Sequence, residues 1–136
     1  MQKNKHIFLV EDDEDDQQFF VDAVKEIDNS ICVNLAFNGA DAINKLDNML
    51  MLPDIIFMDI NMPKMNGLDC LDNLKKTIRL KNIPVVILTS SGSAEDSAHA
   101  IKHKASYFFT KPSRSSLLKG NIADVFKALF TGDACA

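Results

Sequence analysis

The sequence predicts an α/β domain: a doubly wound, five-stranded parallel sheet carrying five helices. Three observations carry that prediction. Five short apolar runs, β-branched or aromatic-rich, recur along the 136 residues. A polar turn and a stretch of helical character follow each run. The four prolines fall between these segments and never inside one, as a residue without an N–H requires. Five βα units with short connections give parallel strands joined by right-handed crossovers, with helices on both faces.

The first run, "HIFLV" (6–10), precedes a helical period marked by Phe20, Val24 and Ile27. The second, "ICVNLA" (31–36), sets Asn34 between apolar Val33 and Leu35, which suits a strand nearer a sheet edge; Ile43, Leu46 and Leu50 follow at helical spacing. "DIIFM" (54–58) leads to Leu68, Leu71 and Leu74, and "VVILT" (85–89) to a polar, weakly periodic stretch at about 94–103. "SYFFT" (106–110) leads to Leu118, Ile122, Val125 and Leu129 within about 115–130. The first, third and fourth runs are apolar at nearly every position, as strands covered on both faces must be. Pro53 and Pro84 sit just before strands and Pro63 and Pro112 just after them; Gly39, Gly67 and Gly92 lie near helix starts.

A chain of this length fits one domain with a sizeable core, taken as about residues 4–130 of 1–136. Its net charge of −4 argues against direct binding to nucleic acid or to an anionic membrane, both of which want a basic face. Cys32, Cys70 and Cys135 are odd in number and lack metal-ligand spacing, so reduced thiols in a cytoplasmic protein are expected. The apolar run after "MQKNKH" is too short for a signal-peptide core, and no stretch reaches bilayer-spanning length.

In an open α/β sheet, ligands bind beyond the carboxyl ends of the strands. The residues at those ends are Glu11 and Asp12 after the first strand, Asp59 with Asn61 after the third, Thr89 and Ser90 at the fourth, and Lys111 with Pro112 after the fifth. Singly, each is an ordinary cap or loop residue. Together they gather carboxylates, a hydroxyl and an ammonium at one end of four strands. Two unit charges about 4 Å apart cost roughly 4 kcal/mol at an effective dielectric near 20. Raised pKa values, the Lys111 ammonium or a hard divalent cation must offset that repulsion. Carboxylate and carbonyl oxygens with open water positions suit Mg²⁺, leaving a carboxylate free as nucleophile. Thr89 and Lys111 are the donors that a phosphoryl group needs. Of the six consecutive acids Glu11–Asp16, the last four are assigned to the first turn of a helix, where its dipole favours them. They are expected to be solvated, with Asp13 nearest the rim.

The motifs "LVED", "FMDINMPKMNG", "VVILTSS" and "FFTKP", in that order and spacing, resemble a receiver domain of a two-component response regulator over almost the whole chain. The resemblance implies a flavodoxin-like sheet of order 2-1-3-4-5. It makes Asp59 the phospho-acceptor, attacking a phosphohistidine on a sensor histidine kinase or His phosphotransfer protein. It assigns Mg²⁺ to Glu11, Asp12, Asp59 and the backbone carbonyl of Asn61. Thr89 would bond the new phosphoryl group and Lys111 pair with it, held by a cis bond to Pro112. Thr89 and Phe108 would form the switch, acting by packing because Phe108 has no hydroxyl. The residues "TSS" and "AED" after the fourth strand are similar to the subgroup serving phytochrome-type and hybrid kinases.

Only 25 residues follow Lys111, so a stand-alone regulator without an output domain is expected. Such a protein is no enzyme beyond its own phosphorylation and dephosphorylation, and its output is a contact with a downstream protein target. Phe108, Phe126 and Phe130 on the last strand and helix offer a dimer or partner surface, or else fill the core. Two rivals stand beside this reading. A phosphohydrolase of the haloacid dehalogenase type needs a second Asp two residues beyond the nucleophile, where this chain has Asn61. A pseudo-receiver would keep the fold without using the site. His99 and His103, four apart, are expected on a solvated helix face, because two ligands do not make a metal site.

Overall fold

The computed structural model describes residues 5–60, 62, 67–89, 94–111 and 115–134, with backbone alone at 115–116 and 130–134. The elements are β1 (His6–Val10), α1 (Glu14–Ile27), β2 (Cys32–Ala36), α2 (Gly39–Asp47) and β3 (Ile55–Met58). They continue with α3 (Gly67–Lys76), β4 (Val85–Thr89), α4 (Ala94–Lys102), β5 (Tyr107–Thr110) and α5 (Ser115–Ala134). The strands pair in parallel in the order β2-β1-β3-β4-β5, the doubly wound, flavodoxin-like sheet that the sequence implied.

Alternation along the central strands sorts the core into two layers. Phe8, Val10, Ile56, Met58, Val85 and Ile87 point to one face and pack with α2 and α3 through Ala42, Leu46, Cys70, Leu71 and Leu74. Ile7, Leu9, Ile55, Phe57, Val86 and Leu88 point to the other, with Phe20 and Val24 of α1 and Ile122, Val125 and Phe126 of α5. A period of two on strands buried on both sides explains why "IFLV", "IIFM" and "VVIL" are apolar throughout. β2 lies at one edge and alternates exposed with half-buried positions up to Ala36, as Asn34 suggested. β5 forms the other edge, with no buried position of its own.

Two helix ends are specified locally. The Asp13 carboxylate caps α1 by accepting from Asp16 N at 3.0 Å, so Asp13 stands before the helix and the first turn is Glu14, Asp15 and Asp16. Asn38 caps α2 through Asp41 N at 2.8 Å. At its other end α2 stops at Asp47, where the Arg79 guanidinium donates to Leu46 O at 3.0 Å and to Met49 O. Leu46 O also accepts from Met49 N at 3.3 Å, so the guanidinium adds to a local cap. This corrects the expectation for Leu50. It lies beyond the helix and is 99% exposed; Gly39, Ala42 and Leu46 form the buried face instead.

Phe126 is a core residue, edge-on to Phe57 with ring centroids 6.2 Å apart. It therefore fills the interior and is not part of an exposed dimer surface. The Phe130 side chain lies outside the described residues. No helix among the described residues is long and apolar enough to cross a membrane.

Candidate functional site

Backbone bonds beyond the strand ends carry the polar residues to one edge of the sheet. Glu11 N donates to Ala36 O at 3.0 Å and Asp59 N to Val10 O at 3.0 Å, so each sits one residue past its strand, side by side. Lys111 N donates to Thr89 O at 2.6 Å, which extends the β4–β5 ladder past Thr110. Met58 pairs with Ile87, so Thr89 falls one position further along β4 than Asp59 does on β3.

The pocket contains the residues the sequence singled out. Carboxylate oxygens of Glu11, Asp12 and Asp59 all lie within 4.8 Å of one another, with Glu11 and Asp59 buried and Asp12 exposed. Thr89 is fully buried. The Lys111 ammonium stands among the acids, bonded to Glu11, 3.2 Å from Asp16 Oδ2 and 3.4 Å from Asp59 Oδ2. Phe108, in register with Ile87, is half-buried and packs against the layer containing Met58 and Ile87. Asn61, Ser90 and Pro112, and with Pro112 the expected cis bond, lie outside the described residues.

Burial sets the electrostatics. Desolvation pushes the Glu11 carboxyl up to about 7, because the Lys111 bond and charge recover only part of the lost hydration. Burial would pull Lys111 down, but its bond to Glu11 and the charges of Glu11, Asp59 and Asp16 outweigh this and hold the ammonium above its ordinary value. When all are ionised, the carboxylates of Glu11, Asp12, Asp16 and Asp59 against one ammonium leave three negative charges, two of which a divalent cation offsets. The donors are all hard oxygens, and exposed Asp12 leaves one side open to water; this donor set fits Mg²⁺.

The sequence did not point to two neighbours. Gln17 is buried and its Nε2 donates to Glu11 O at 2.6 Å, fixing the backbone of the first acidic residue. The signal was present, since Gln17 lies three before Phe20 and seven before Val24 on the buried stripe of α1. Asp16, assigned above to a solvated first turn, reaches Lys111 across the pocket. Nothing local marks it, because the pair is 95 residues apart in sequence.

Gly67 completes the frame. An added Cβ would lie 2.2 Å from Asp59 O and 2.8 Å from Ile60 Cα, and Gly67 N donates to Ile60 O at 2.9 Å. The start of α3 rests directly on the backbone that presents Asp59, which is why the glycine of "MNG" has no side chain.

A five-stranded sheet of order 2-1-3-4-5, with buried acids at its carboxyl edge and a lysine among them, defines the class. The chain belongs to the response regulator receiver domain family, whose model matches residues 7–123. Among individual relatives, it is 29% identical over 97 residues to the luminescence regulatory protein LuxO of Vibrio campbellii, covering 71% of this chain and 20% of LuxO. It is also 32% identical over 111 residues to a protein-glutamate methylesterase/protein-glutamine glutaminase of Bacillus subtilis, covering 80% of this chain and 30% of that protein. The chain thus spans less than a third of either relative. Two solved structures match nearly end to end. The phosphorylated cyanobacterial phytochrome response regulator RcpA superposes with a TM-score of 0.88 at 27% identity, over 96% of both chains. The Mn²⁺-bound form of response regulator Rcp1 gives 0.81 at 26% identity, over 90% of this chain and 92% of that one.

Proposed function

We propose that this receiver domain accepts a phosphoryl group on Asp59, with Glu11 and Asp12 joining Asp59 in holding Mg²⁺. The observation that carries the reading is the buried Asp59 carboxylate, within 4.8 Å of two other carboxylates and 3.4 Å from an ammonium. The Asn61 carbonyl is proposed as a further metal ligand. RcpA was solved phosphorylated and Rcp1 with a divalent ion, which supports the same use of the matching pocket here.

A carboxylate oxygen of Asp59 attacks the phosphorus of a phosphohistidine; the new P–O bond forms as the P–N bond breaks, and the imidazole leaves with the bonding pair. Mg²⁺ held by Glu11, Asp12 and Asp59 would supply positive charge to offset the negative charge of the acids and the incoming phosphoryl group. Lys111, already beside Asp59, transfers its ammonium from Glu11 to a phosphoryl oxygen. Thr89 donates its hydroxyl to another, and Phe108 packs inward behind it. Glu11 must lose its proton to hold the ion, so its raised pKa makes the pocket respond to pH.

The donor is a sensor histidine kinase or His phosphotransfer protein. The likeness to RcpA favours one of the phytochrome class, and the output is a contact with a downstream protein. We assign the chain no enzymatic activity beyond its own phosphorylation and dephosphorylation, a cytoplasmic setting, and a single receiver domain over 1–136. A hydrolase reading lacks its general acid–base, because the Asn61 amide cannot cycle between acid and conjugate base as a carboxyl does.

The test is intact-mass spectrometry after incubation with a small phosphodonor and Mg²⁺. The wild type is expected to gain one phosphoryl group, and neither Asp59→Asn nor a chelated sample to gain any. A pseudo-receiver would stay unmodified throughout, and label retained in Asp59→Asn would move the acceptor elsewhere.

A further inference from the structure

A second cluster lies between α3 and α4 and shares no residue with the carboxylate pocket. His99 of α4 and His103, four residues on and just past the helix end, stack their rings with centroids 4.2 Å apart at 15°. Asp72 of α3 faces both, with Oδ1 2.6 Å from His103 Nδ1 and Oδ2 3.9 Å from His99 Nε2. One ligand atom from each residue lies within 4.8 Å of the other two. Asp72 Oδ1 and His99 Nε2 are shielded from solvent yet make no aligned hydrogen bond among the described residues. Asp72 Oδ1 still has His103 Nδ1 beside it, whereas leaving the shielded His99 Nε2 unsatisfied is costly, and a bound ion would satisfy it.

We infer that Asp72, His99 and His103 form a transition-metal site of the Zn²⁺ class. Two imidazole nitrogens and one carboxylate oxygen make a borderline donor set, unlike the all-oxygen pocket that suits Mg²⁺. Bonds of about 2.0–2.1 Å put tetrahedral donors roughly 3.3 Å apart. The three side chains are 25–41% exposed, so small turns bring His99 in from 3.9 Å, let the Asp72–His103 pair open from 2.6 Å and leave a fourth position to water. The ion ties α4 to α3. That matters because Ala100 is the one buried residue among the nine of α4, so packing alone holds this helix lightly. The sequence showed the histidine pair at i and i+4, but the third ligand comes from 27 residues upstream.

The test is calorimetric titration of the full chain with Zn²⁺ at pH 7.5, in excess Mg²⁺ to occupy the acidic pocket. One equivalent of Zn²⁺ is expected to bind, and Co²⁺ in its place to give a visible ligand-field band. His99→Gln, His103→Gln and Asp72→Asn should each weaken binding at least about tenfold, since even partners of metal ligands contribute that much. Zn²⁺ should raise Tm in the wild type and not in the His99→Gln/His103→Gln protein, whose metal-free Tm reports that it still folds. Glu11→Gln/Asp59→Asn should keep the Zn²⁺ equivalent. Absence of uptake, or uptake that survives loss of both histidines, overturns the inference and leaves the receiver reading untouched.

Discussion

Replacing Gly67 with Ala tests how the start of α3 supports the acceptor. The added Cβ would meet Asp59 O at 2.2 Å, Ile60 Cα at 2.8 Å and Asp59 C at 2.9 Å, all backbone atoms with no rotamer to escape into. Ordinary contact begins at 3.4 Å, so a gap of about 1.2 Å must open. Either α3 lifts and loses the Gly67 N to Ile60 O bond, or the Asp59–Ile60 backbone moves and carries the carboxylate with it. Overpacking of this kind costs about 1–3 kcal/mol, and the better helix propensity of Ala returns up to about 1 kcal/mol. The net loss spans about 0–3 kcal/mol, and its middle of about 1–2 kcal/mol lowers Tm by roughly 3–8 °C. A misplacement near 1 Å slows phosphoryl transfer by up to about 100-fold. Calorimetry and the rate of labelling by a small phosphodonor in Mg²⁺ read both effects. Gly120→Ala is the control: its Cβ meets nothing within 4 Å on α5, so it should stabilise slightly and leave the rate alone. A Gly67→Ala protein with wild-type Tm and labelling rate would refute this account of the frame.

Three further outcomes follow from the same geometry. Lys111→Met leaves Glu11 and Asp59 without their ammonium and should destabilise the metal-free protein by roughly 3 kcal/mol at pH 8; Mg²⁺ should restore much of it, as denaturant midpoints with and without the ion will show. Glu11 has a raised folded-state pKa, so its stabilising contribution, at most about 3 kcal/mol, is full below about 4.5 and lost as pH rises through about 7. The Tm of the metal-free wild type should therefore fall relative to Glu11→Gln between pH 5 and pH 8, while Mg²⁺ affinity rises over the same window; a constant difference contradicts the assignment. Burial pushes the Cys70 thiol up to about 12, leaving a thiolate fraction of about one in ten thousand at pH 8, whereas Cys32 lies exposed on β2. Iodoacetamide followed by peptide mapping should modify Cys32 and spare Cys70 until the protein unfolds.

What the sequence disclosed follows from how local each cause is. The central strands were legible because burial on both faces demands apolar residues at every position, and "IFLV", "IIFM" and "VVIL" satisfy that without reference to the rest of the chain. The edge position of β5 was not, since "YFFT" is as apolar as a central strand and its exposure depends on what lies beside it. Leu50 misled because it continues the period of Ile43 and Leu46, while the helix stops at Asp47 and the chain beyond it is held partly by Arg79, thirty residues past Met49. Site residues at strand ends were readable from the fold's own logic, which places ligands there. Their pairing was not: Lys111 bonded to Glu11 and reaching Asp16 is a contact between the chain's two ends. The same holds for Asp72, which turns an ordinary histidine pair into a three-donor cluster.

The central claim is that Asp59 carries the phosphoryl group, and trapping that bond tests it most directly. Protein incubated with phosphodonor and Mg²⁺ is treated with borohydride, which reduces an aspartyl phosphate to homoserine, and the peptides are sequenced by mass spectrometry. Homoserine at position 59 and at no other aspartate is the predicted result. Homoserine at Asp12 or any other aspartate, the homologous alcohol at a glutamate, or an unreduced chain after demonstrated phosphodonor consumption, would contradict it.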